Sequence, residues 1–104
     1  MDALVRQVAA EEAESGIRCN GVAIGWIEDL TMEHILRRTP EEVPKNPDNE
    51  MDRVHAIVHQ LMGFVRMGRL GRPEEAGNLF AFLASNEASY LTGQMIAIDG
   101  GVTL

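Results

Sequence analysis

His55 and His59 stand four residues apart, a spacing that puts two imidazoles on one face of a helix and can hold a metal ion, with His34 as a distant third ligand. No Glu stands beside His55 and no carboxylate has a fixed place nearby. Histidines that face solvent or pack partly are therefore the expected outcome, and no metal ligand is assigned. Arg66, Arg69 and Arg72 cluster ahead of a helix start, where an anion is favoured. Glu74 and Glu75 follow at once, so pairing with these acids or with a neighbouring subunit is the simpler expectation. The turn Ile24-Gly25-Trp26-Ile27 carries more chemistry. A glycine leaving the carboxyl end of a parallel strand lets backbone groups approach a ligand in the switch-point crevice. A plain turn with no ligand is the alternative.

These residues need elements to position them. Apolar residues at 1, 4, 5, 8, 9 and 13 form the stripe of an amphipathic helix that Ser15-Gly16 stops. Residues 17–24 then become a nearly unbroken apolar run ending at Gly25, as in a strand covered on both faces. Trp26 through Leu36 is a short apolar stretch, and the segment after it, with Pro40, Pro44 and Pro47 among charges, reads as a long loop. Met51, Val54, Val58, Leu61 and Val65 recur at helical spacing, with Gly63 weakening that helix and Gly68 ending it. Arg72-Pro73-Glu74-Glu75 opens a further helix whose stripe is Ala76, Leu79, Phe80 and Leu83. Gln94 to Asp99 reads as a second strand, apolar on both faces, which Gly100-Gly101 closes.

Strand, helical crossover and strand make a βαβ pattern, hence an α/β fold with parallel pairing. Two strands buried on both faces need neighbours that 104 residues do not supply, so the sheet is incomplete as given. It either belongs to a larger doubly wound domain or is completed in an oligomer. The formal charge of -7 argues against nucleic acid and anionic membranes as partners. Residues 1–50 hold 11 of the 16 acids and 5 of the 9 bases. Cys19 is the lone cysteine, so no internal disulfide and no thiolate zinc site form, and a reducing, cytoplasmic location is expected. The start is neither basic nor apolar enough for a secretory signal, and no run approaches the ~18 apolar residues of a membrane helix.

Three ordered blocks resemble a known family. Gly16-Ile17-Arg18-Cys19-Asn20-Gly21-Val22-Ala23-Ile24-Gly25 is similar to the strand and turn of the short-chain dehydrogenase/reductases, where Gly-Ile-Arg-Val-Asn-x-Val-x-Pro-Gly is usual. Gly68-Arg69-Leu70-Gly71-Arg72-Pro73-Glu74-Glu75-Ala76, then Phe82-Leu83-Ala84-Ser85, then Tyr90-Leu91-Thr92-Gly93-Gln94-Met95-Ile96-Ala97-Ile98-Asp99-Gly100-Gly101 resemble its last helix and last strand. The resemblance implies the C-terminal portion of one Rossmann-like, doubly wound domain over 1–104, with a substrate loop or lid at 26–65. It implies a parent activity of alcohol/ketone redox by hydride transfer with NAD or NADP. The nicotinamide-side turn would be Ile24, Gly25, Ile27 and Asp29. Substrate would meet Trp26, Leu30 and Met32, with Ile35 and Leu36 nearby, although ordinary packing is an equal reading of these apolar residues. A homo-oligomer through 73–101 is implied as well.

The family's Gly-x-x-x-Gly-x-Gly turn, catalytic Ser and Tyr-x-x-x-Lys pair are not in this sequence. The resemblance implies that the pair lies just upstream of Met1. Tyr90, the only tyrosine, has Gln94 four residues on, and Lys45 stands in the Pro-rich loop, so no residue here is assigned a catalytic role. A tyrosine needs a neighbouring cation to bring its pKa toward working pH. Ile24 also stands where the family usually has Pro, and Asp29 where a Thr hydroxyl usually meets the cofactor. The chain alone is expected to be inactive. The alternative is a non-catalytic binding or assembly module derived from that family.

Overall fold

The computed structural model describes residues 1–28, 37–43, 45–46 and 48–104. They fall into two compact units, Met1–Gly25 with Glu74–Ile98 and Trp26–Pro73 with Asp99–Leu104.

The first unit holds α1 (Asp2–Glu12), β1 (Gly21–Ile24), α3 (Pro73–Ala84) from its second residue on, and β2 (Met95–Ile98). Val5 and Ala9, four apart on the apolar stripe of α1, are its buried residues. The helix tightens through Ala13–Ser15 and stops at Gly16, whose φ of 76° is left-handed and whose N–H closes on Ala13 O at 3.0 Å. β1 and β2 then pair in parallel, Gly21 opposite Met95 through Ile24 opposite Ile98. The α/β class and the parallel pairing are as the pattern predicts.

The strands are shorter than the apolar runs, and the hydrogen bonds give the reason. At residues 18–20 side chains from one segment or the other replace most of the backbone partners a ladder would use. The Arg18 guanidinium donates to Leu83 O (2.8 Å), a carbonyl of the last turn of α3, and to Ser85 O (3.2 Å), which also accepts the Ala88 N–H. Cys19 N–H donates to Thr92 Oγ1 at 3.1 Å, while Asn20 donates to Leu91 O and accepts from Gln94 N–H. A first backbone bond, Gly93 N–H to Cys19 O at 2.7 Å, precedes the strand; the regular ladder runs from Gly21 N–H on Gln94 O at 2.8 Å to Gly25 N–H on Ile98 O at 2.9 Å. Ile24 is 52 % exposed and Phe80 of α3 is 50 % exposed, so the described residues leave apolar side chains of both elements uncovered.

The second unit is built around α2 (Glu50–Met62). The Asn49 side chain caps it, accepting Asp52 N–H at 2.8 Å, and Asp52 pairs with Arg38 at 3.3 Å. The buried line of α2 is not the expected one. Met51 is 51 % exposed and Val54 is exposed too, whereas His55 (2 % exposed), Val58 and Met62 turn inward, and Val58 and Met62 pack on Leu70. The helical period is as expected and the face lies one residue on, because His55, polar by type, belongs to the buried stripe. His55 is thus buried rather than solvent-facing. Gly63 ends the helix before Val65, and a series of tight turns carries the chain to Gly68. No described helix is long and apolar enough to cross a membrane.

Candidate functional site

The turn after β1 divides between the units. In the first, the Gly25 N–H is committed to Ile98 O, so Gly25 can serve a ligand by lacking a side chain and not as a donor. In the second, Ile27 forms a parallel bridge with Gly71. Gly71 donates to Trp26 O at 3.0 Å and accepts the Glu28 N–H at 2.8 Å, bonding the two residues that flank Ile27. In such a pairing the middle residue's own N–H and C=O point away from its partner. Ile27 therefore presents a donor and an acceptor together on the side opposite Gly71. That pair is complementary to a carboxamide, which offers an acceptor oxygen and N–H donors of its own.

Trp26, 38 % exposed, lines a cavity of about 530 Å³ with Phe64, Arg66, Val102 and Leu104. Asp29, Leu30 and Met32, with His34, Ile35 and Leu36, lie outside the described residues. The three arginines that cluster in sequence separate in space. Arg66 donates to Leu104 O at 3.1 Å and lines the Trp26 cavity, while Arg69 and Arg72 line a second cavity of about 510 Å³, where Arg38 and His59 join them. Arg38 is not among the residues that the sequence singles out, because its distance along the chain from Arg69 hides the grouping. No three His, Cys, Asp or Glu side chains among the described residues gather around a possible metal ion. Tyr90 and Lys45 are both exposed.

The carboxylate of Asp99 closes the turn after β2 within the second unit. It accepts the Gly101 N–H and the Thr103 hydroxyl, both at 2.9 Å. These bonds, the Gly101 N–H foremost, favour the charged form and hold its pKa below the ordinary 3.8. A group whose pKa falls on folding contributes stability that is present above the unfolded value and is lost as pH drops through the folded one. An NMR titration of the Asp99 carboxyl carbon should give a midpoint below 3.8, with the Gly101 amide moving in step. A midpoint at or above that value would mean the turn does not hold in solution.

Comparison with known proteins places these elements. Residues 1–103 match the family model described as enoyl-(acyl carrier protein) reductase. Oxidoreductase UcpA of Escherichia coli K12 is 41% identical over 101 residues, which cover 97% of this chain and 35% of UcpA. A short chain dehydrogenase from Bacillus anthracis superposes with a TM-score of 0.68 at 30% identity, covering 99% of this chain and 32% of that one. YwfH, an NADPH dependent reductase involved in bacilysin biosynthesis, gives a TM-score of 0.70 at 29% identity over 97% of this chain and 35% of its own. The chain thus spans about a third of the length of the relatives it matches. Its match to the family model runs from α1 past β2, and the chain belongs to the short-chain dehydrogenase/reductase family, of whose partial Rossmann fold it carries the C-terminal portion.

Proposed function

We propose that these residues are the C-terminal portion of an NAD(P)-dependent oxidoreductase that interconverts alcohols and ketones. The observation that carries this reading is the donor–acceptor pair of Ile27 pointing away from Gly71, which fits the carboxamide of a nicotinamide. The nicotinamide, when bound, supplies or takes up hydride. Ile27 orients its ring through the carboxamide, and Ile24, Gly25 and Asp29 are assigned to the same nicotinamide-side turn of the chain. Segment 26–65 acts as substrate lid, and Trp26, Leu30 and Met32 are assigned as its substrate-binding residues. YwfH, described as NADPH dependent, supports a nicotinamide cofactor here. The choice between NAD and NADP is open.

A chimera tests this, with these 104 residues replacing the matching part of UcpA. NADH or NADPH binding should be measurable by titration, and Ile27→Pro should weaken it roughly tenfold, because proline removes the N–H and one hydrogen bond contributes ~0.5–1.5 kcal/mol. The Ile27 N–H takes no part in the bridge to Gly71, so the melting temperature should stay within a few degrees. Unchanged cofactor affinity in Ile27→Pro would remove the carboxamide role.

The same chimera tests assembly. β2 pairs on one side only among the described residues, and an unpaired sheet edge must be covered. We assign 73–101 to a homo-oligomer interface. Ile98→Lys should lower both the oligomeric state and the stability, the latter by about 2 kcal/mol for the lost apolar burial. Lys45→Glu should change neither. Sedimentation of both variants beside the parent decides, and an Ile98→Lys protein that assembles and melts as the parent does would refute the interface.

A further inference from the structure

The described residues that line the cavity beside Arg69 and Arg72 all belong to the second unit, and several of them are basic. Three of the nine Lys and Arg residues, Arg38, Arg69 and Arg72, line it, in a chain whose formal charge is -7. Such a background repels anions, so an anion site in this chain requires a local group of cations. Among the described residues one acid, Glu28, lines the same cavity, and Asp52 pairs with Arg38 at 3.3 Å. Arg69 Nη1 donates to Leu70 O at 3.1 Å, which holds the guanidinium at the cavity wall. A guanidinium carries five N–H donors in a planar fork, so a backbone bond and a bond to an oxyanion are compatible on one side chain.

The wall is not polar throughout. Met62 and Leu70 line the cavity as well, and Leu70, 6 % exposed, is fixed by its packing with Val58 and Met62. A small inorganic anion would leave that apolar surface against water. A neutral apolar molecule would not engage the guanidinium groups along the same wall. The volume of about 510 Å³ falls within the ~300–1,000 Å³ range of small-molecule sites. We infer that this cavity binds an organic oxyanion with a short apolar chain, the headgroup on Arg69 and Arg72 and the chain on Met62 and Leu70. The headgroup is a carboxylate or a phosphate ester, since the arginine fork fits both. His59 lines the same cavity.

The inference rests on the second unit alone, not on the redox reading, and its test needs no turnover. Hexanoate, hexyl phosphate, hexanol and inorganic phosphate are titrated by NMR against the 104-residue chain and against the UcpA chimera, which provides a folded host if the chain alone is poorly ordered. Hexanoate or hexyl phosphate should shift the Met62 methyl and the Arg69 and Arg72 Nε–H signals saturably, and added salt should weaken the binding. The tighter of the two identifies the headgroup. Hexanol and inorganic phosphate, each lacking one feature, should bind roughly tenfold more weakly or worse, as expected when about 1.4 kcal/mol of contact is lost. Arg69→Gln with Arg72→Gln should cost about fivefold, the upper end for exposed ion pairs, and Glu28→Gln should tighten binding. No saturable shift in either protein, equal binding of hexanol, or indifference to the double arginine change would overturn it.

Discussion

Assayed alone with NADH or NADPH over a panel of aldehydes and ketones, the 104-residue chain should give no turnover above a no-protein control. Its one tyrosine, Tyr90, is exposed and has Gln94, not a lysine, four residues on. Its one lysine, Lys45, is exposed in the Pro-rich loop. Neither can act as a proton donor held beside a cation, and a positioned acid–base group typically contributes about 10²–10⁴ in rate. The Ile27 pair can orient a carboxamide and cannot move the hydroxyl proton. Cofactor binding falls as well, since one carboxamide contact gives little affinity without a cradle for the phosphates. The UcpA chimera, in which UcpA supplies the rest of the fold, should bind cofactor where the isolated chain does not. Turnover by the isolated chain, purified free of host dehydrogenases, would end the assignment of these residues as a non-catalytic part of a larger site.

What the sequence made legible was local. The period of α1, the stop at Gly16 and the parallel strand pair come from side-chain type and spacing, because each depends on neighbours a few residues away. The true start of β1 depends on Arg18, Cys19 and Asn20 meeting residues from Leu83 to Gln94, contacts that nothing near Arg18 announces. α2 shows a subtler limit. A stripe drawn from apolar residues alone excludes His55, and the face moves by one position once Leu70 decides what lies against it. At the site, Ile27 is a candidate from its place after Gly25. Its chemistry comes from Gly71, which bonds both of its neighbours. The arginine cluster divides for a similar reason, since Arg66 reaches Leu104 while Arg69 and Arg72 line one cavity with Arg38.

The largest expected loss of stability from a single change is at Gly100. Its φ of +60° is left-handed, and a Cβ there would lie 2.7 Å from Val65 Cγ1. Val65 is itself buried, so it has little room to move away. The backbone is also held in place, because Gly100 O accepts the Met67 N–H at 3.0 Å and the Asp99 carboxylate fixes the next residue through the Gly101 N–H. A side chain in the left-handed region costs about 1–2 kcal/mol and overpacking about 1–3 kcal/mol more, so Gly100→Val should destabilise by roughly 2–5 kcal/mol. That is a large share of the ~5–15 kcal/mol by which domains are stable. Gly77 supplies the control. It lies inside α3, a Cβ there meets nothing within 4 Å, and Gly77→Ala should stabilise by about 1 kcal/mol through helix propensity. Urea unfolding of both variants in the UcpA chimera reads the two effects with opposite sign. A Gly100→Val protein as stable as its parent would mean that the turn after β2 does not pack on Val65 in the assembled protein.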